Sequence, residues 1–161
     1  MKTSLLSLIL AAILPTFVFS QFNWKSYNEV PYDSLFIFHK ALLEQDSIKK
    51  GMVDVRVSTS QNKYKLLVEC TDSIREINGN VKQLCDFWIS SIIKRSELKA
   101  SFLHEILVRA NGKLHWLPIQ ESVLGYYKKE ISRKQSVYLY TILIGSIYDE
   151  LVLSINEFST E

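Results

Sequence analysis

Residues 102–119 read FLHEILVRANGKLHWLPI. Two apolar runs flank Asn111-Gly112, the dipeptide best suited to a two-residue hairpin turn because both positions tolerate positive φ. The spacing predicts a hairpin with strands over residues 102–110 and 113–119. The turn also sets the register, with Ala110 opposite Lys113, Val108 opposite His115 and Leu107 opposite Trp116. Pro118 has no N–H to give a ladder, so it limits pairing at the strand end and should lie near an edge.

Downstream, residues 120–132 read as a short helix with Val123, Leu124, Tyr127 and Ile131 inward. Residues 137–144 and 151–157 form a last predicted hairpin, with Gly145-Ser146 in its turn and Asp149-Glu150 at a solvated tip. Its first strand is apolar on both faces: Tyr138, Tyr140, Ile142 and Ile144 oppose Val137, Leu139 and Leu143. Such a strand must be covered on both sides, as in a central strand or a small curled barrel. The uninterrupted stretch 137–148 spans 12 residues, too short for a membrane helix.

Upstream, residues 80–95 carry Val81, Leu84, Cys85, Trp88, Ile89 and Ile92 at helical spacing. Residues 52–58 and 63–70 alternate apolar and polar side chains, with Tyr64, Leu66, Val68 and Cys70 on one face. Joined by the polar residues 59–62, they predict another hairpin. A first helix over residues 31–45 would place Leu35, Phe38, His39 and Leu42 on one face. The expected fold is α+β, an antiparallel sheet of about six strands in three hairpins with two to three helices. The alternative is an OB-like small barrel with added helices, since three strands, a helix and two strands is the order of that fold. No ligand follows from the resemblance in order.

Composition bounds the rest. The 161 residues are 47% hydrophobic and 22% charged, with five Gly and three Pro, which excludes a disordered or low-complexity chain. Residues 1–20, MKTSLLSLILAAILPTFVFS, hold Lys2, an apolar core and a small residue before Gln21. They read as a secretory signal peptide, so residues 21–161 are expected to form a single α+β domain. Removing those twenty residues from 161 leaves 141, enough for one domain. Export by the general secretory route to the periplasm or extracellular space follows. The net charge of +2 gives no electrostatic basis for binding nucleic acid.

No catalytic constellation is legible. Cys70 and Cys85 are the two cysteines; an oxidising compartment would permit a disulfide between them, worth about 3 kcal/mol for a loop of that length. His104-Glu105 begins like H-E-x-x-H, but Val108 stands where the second His belongs. His104 and His115 share a face of the hairpin about 13 Å apart, too far for one metal. No metal site and no cofactor is expected.

The weak binding candidates are His115, Trp116 and Tyr126, with Lys128, Lys129, Arg133 and Lys134. That basic cluster suits a helix C-terminus, where cations oppose the backbone dipole, and could contact an anionic surface. Aromatics at strand and helix spacing default to the core. The reading is a noncatalytic binding or interaction protein with a protein partner in the envelope or outside the cell. Its rivals are a small exported hydrolase or ligand-binding enzyme with an unrecognised site, and an envelope structural protein with a retained N-terminal anchor. Contact with a membrane is expected only through the signal segment or weakly at the surface.

Overall fold

The computed structural model describes residues 22–49 and 55–160. The expected signal peptide lies outside the described residues. The chain is a single α+β domain built on a mixed sheet that closes into a five-stranded barrel. This fits the OB-like alternative better than the open antiparallel sheet.

The Asn-Gly hairpin is present with the predicted register. Strand β5 (His104–Ala110) pairs with β6 (Lys113–Ile119), and Ala110, Val108 and Leu107 lie opposite Lys113, His115 and Trp116. Asn111 and Gly112 have φ of 48° and 78°, the left-handed region this turn requires. Helix α3 (Glu121–Glu130) follows, with Val123, Leu124 and Tyr127 buried. Strands β7 (Ser136–Ile147) and β8 (Glu150–Thr160) form the last hairpin. Its turn is Tyr148-Asp149, both at positive φ. Gly145 and Ser146 therefore lie inside β7 and not in a turn.

Barrel closure depends on β4 (Lys63–Glu76). Its first half pairs antiparallel with β7 and its second half with β5. The β4–β5 register shifts between Cys70 and Ile74, the bulge at which the strand bends from one neighbour to the other. Thr71 Oγ1 donates to the Leu107 carbonyl at 2.6 Å across that bend. The ring β4-β5-β6-β8-β7 is completed by β7–β4 pairing. The β6–β8 contact is parallel, because α3 and β7 intervene in the chain between them.

The predicted hairpin of residues 52–58 with 63–70 does not form. Strand β3 (Val55–Ser58) pairs with β7 and with β2 (Ser47–Lys49), while β4 takes β7 and β5 as neighbours. Alternation identifies a strand, but it carries no information about which edge the strand joins. Strand β1 (Asn28–Glu29) pairs parallel with β4.

Two apolar clusters lie on opposite faces of the sheet. The barrel interior holds Leu66, Ile106, Leu117, Leu139, Leu153 and Ile155. On the outer face, helix α2 (Gly79–Trp88), capped by the Asn78 side chain, buries Leu84, Cys85 and Trp88 against Ile142 and Ile144 of β7. A π-helical turn (Ile89–Ile93) and a 3-10 turn (Ser96–Ser101) extend that layer. Strand β7 is thus covered on both faces, as its composition requires. Each fully buried aliphatic side chain there contributes about 1.5–3 kcal/mol.

The same division explains the cysteines. Cys70 points into the barrel and Cys85 packs under α2 on the other side of the sheet. Both are free and buried, so the disulfide that export would permit is not formed. Burial pushes the Cys85 thiol up to about 12. Two thiols should therefore react with a thiol reagent only after denaturation, and a reductant should leave the melting temperature unchanged.

Helix α1 (Tyr32–Asp46) closes one end of the barrel. Leu35 and His39 are buried as expected, but Phe38 is 64% exposed, so the inward face is narrower than its apolar content suggests. His39 Nε2 is hydrogen-bonded to the Tyr64 hydroxyl on β4.

Gly145 marks the closest backbone approach. A Cβ there would stand 2.0 Å from the Arg56 carbonyl oxygen, because β3 lies directly against β7. Gly145→Ala should destabilise the fold by about 1–3 kcal/mol through forced strand separation. A fall in the denaturant midpoint at unchanged slope would register it.

Candidate functional site

A cleft of about 900 Å³ opens where β6 and β8 part. Its walls come from four places. The first turns of α1 supply Tyr32, Asp33, Phe36 and Ile37. Strand β6 supplies Lys113, Leu114, His115 and Trp116. The β7–β8 turn and the first residue of β8 supply Tyr148, Asp149 and Glu150, and the end of β4 with the cap and first turn of α2 supplies Arg75, Asn78 and Asn80. The volume is that of a ligand-sized site.

His115 and Trp116 both line this cleft, and they point to opposite faces of β6 as successive strand residues must. The His115 ring lies against Tyr32 of α1 at 4.0 Å between centroids. Its Nε2 is buried without a hydrogen-bond partner among the described residues. Burial holds His115 below the usual histidine range; Glu150 and Asp33 oppose that shift and Lys113 adds to it. The imidazole is accordingly neutral at pH 7. Burial likewise pushes the Tyr32 hydroxyl well above its usual range, with help from Glu150 and Asp33.

On the outer face, the Arg75 guanidinium stacks over the Trp116 indole at 3.9 Å. Arg75 Nε donates to Glu105 Oε2 at 2.9 Å, and the Asn78 backbone N–H donates to the same oxygen at 3.3 Å. Glu105 is 1% exposed, so its charge is held by this pair of donors. Stacking and ion pairing together fix Arg75 at the cleft wall.

The remaining sequence candidates do not join this site. His104 Nδ1 bonds Glu121 of α3 at 2.7 Å, tying the strand to the helix start. Tyr126, Lys128 and Lys129 are exposed on α3, and Arg133 pairs with Asp72 at 3.7 Å. Lys134 has φ 63° and its N–H donates to the Cys70 carbonyl. None of these lines the cleft. Among the described residues, no three His, Cys, Asp or Glu side chains converge as a metal site would require.

Sequence reasoning missed Tyr32, Arg75, Glu105 and Tyr148. One signal was available for Glu105. Leu107 lies on the same strand face, so a carboxylate beside it at a position paired into the sheet needed a partner. The partner, Arg75, sits thirty residues earlier and is brought across by the β4–β5 register.

Comparison with protein-family models, with curated proteins and with solved structures returns no match for this chain.

The buried His39 and the half-buried His115 make stability pH-dependent. Burial lowers His39 and His115 in the fold relative to the ordinary value near 6.5. The unfolded chain then binds more protons than the folded one at mildly acid pH, so stability is present above pH 6.5 and is lost as pH falls through the depressed values. Denaturant midpoints measured from pH 8 to pH 5 should be level above 6.5 and fall below it, and His39→Gln should reduce that fall.

Proposed function

We propose that this chain is a noncatalytic exported binding protein that seats its partner in the cleft between α1, β6 and the β7–β8 turn. The cleft carries the reading. It combines ligand-sized volume with an apolar rim of Phe36, Ile37, Leu114 and Tyr148, of which Ile37 is 78% and Tyr148 63% exposed. Contiguous exposed apolar residues on a small domain mark interaction surfaces. Around them stand fixed polar groups, Arg75 over Trp116 and the neutral His115, of the kind that orient a bound partner.

One observation favours a hydrolase as the second reading: the neutral His115, with an unpartnered Nε2 in the cleft, has the form of a general base. A positioned nucleophile beside it is not evident among the described residues. Under that reading His115→Ala abolishes turnover of a screened substrate while the melting temperature holds.

The binding reading is tested with the chain starting at Gln21 as bait against envelope and secreted fractions of the producing cell. A stoichiometric partner is expected. Its affinity should fall at least tenfold with Ile37→Ser or Tyr148→Ser, and stay level with Lys129→Ser on the basic cluster of α3. A partner indifferent to both cleft variants would sink the proposal.

A further inference from the structure

The cleft follows an unpaired strand edge. The pair flanking a two-residue hairpin turn exchanges both backbone bonds, and bonded and non-bonded pairs alternate from there. In the β5–β6 register, Ala110–Lys113, Val108–His115, Ile106–Leu117 and His104–Ile119 are then the bonded pairs. Leu114, Trp116 and Pro118 turn their backbone groups away from β5. Two observations agree with this. Leu107, opposite Trp116, gives its carbonyl to Thr71 of β4 and not to β6. Pro118, which has no N–H, occupies a position where β5 asks for none.

The strand expected on that outer side is β8. The β6–β8 ladder nevertheless holds one pair, Ile119 with Ile155, where Gln120 N–H donates to the Ile155 carbonyl. From that bridge the two strands diverge, and the cleft fills the space between them. By this alternation the N–H and C=O groups of Leu114 and Trp116 face the cleft, and neither residue has a ladder pair on that side among the described residues. Groups repeating at every second residue along an edge are satisfied best by another extended chain.

We infer that the cleft takes an extended, cationic segment of a partner polypeptide, which adds as a strand to the outer edge of β6. This rests on the cleft being the binding site proposed above. The open edge of residues 113–117 is about 17 Å long at the usual strand rise, room for some five residues of partner. Ile37, Leu114 and Tyr148 supply the apolar contacts for alternate side chains. Three carboxylates, Asp33, Asp149 and Glu150, line the cleft against Lys113, while Glu105 is already neutralised by Arg75. That excess favours Lys or Arg on the other alternate positions.

The probe is a fluorescein-labelled, acetylated and amidated decapeptide of alternating lysine and valine, titrated by anisotropy against the chain starting at Gln21. Saturable binding is expected. Replacing every lysine with glutamate should weaken it at least tenfold, as should N-methylation of at least one of the two alternate sets of amides. Leu114→Pro removes an outward N–H without taking a bond from β5, so it too should weaken binding at least tenfold. N-methylated peptides that all bind as tightly as the parent overturn strand addition even if Leu114→Pro does not fold. So does a chain that dimerises and ignores the peptide. A captured partner lost with Ile37→Ser but kept by Leu114→Pro leaves the cleft reading standing and removes strand pairing, whereas indifference to both removes both.

Discussion

Strand β7 is the element on which the architecture depends. It pairs with β4, β8 and β3 and is buried on both faces over nearly its whole length. Its pairing with β4 turns a sheet into a barrel. Its inner side chains, Val137, Leu139 and Leu143, complete the barrel core, while Ile142 and Ile144 on the other side give α2 an apolar surface to cover. Gly145 lets β3 approach within backbone contact, so the same strand also anchors the extension beyond the barrel. A polar residue in the middle of β7 would disturb two cores at once.

That closure is incomplete at one seam, and the incompleteness generates the cleft. Barrels remove exposed strand edges by pairing every strand twice. Here β6 meets β8 at a single ladder pair, Ile119 with Ile155, and the neighbouring Pro118 has no N–H to offer along that edge. Helix α1 covers the opened end through Leu35, His39 and Tyr32, and the β7–β8 turn forms the opposite rim. The site is a consequence of how the barrel fails to zip, built on rigid strands and not on long loops. That accounts for a ligand-sized concavity in a chain so poor in glycine and proline.

Much of the secondary structure was legible locally. The Asn111-Gly112 turn specified its hairpin to the residue, and the apolar stripe of α2 was recovered with its buried positions. His115 and Trp116 are neighbours on β6 and line the cleft from its two faces. The failures are tertiary. Residues 52–58 read as a hairpin partner of 63–70, whereas β3 (Val55–Ser58) pairs with β7. Cys70 and Cys85 looked close in sequence and are separated by the sheet. Phe38 was apolar enough for the core and is exposed.

By itself the sequence determined the hairpin turn, the two-faced burial of β7, the helix stripes and the absence of a recognisable catalytic motif. These rest on periodicity and turn chemistry, which act over a few residues. The tertiary structure decided the strand order, the sidedness of the cysteines, the Arg75–Glu105 pair beneath Trp116 and the opening between β6 and β8. Each depends on which distant edges meet, and alternation along a strand is the same whichever neighbour it finds.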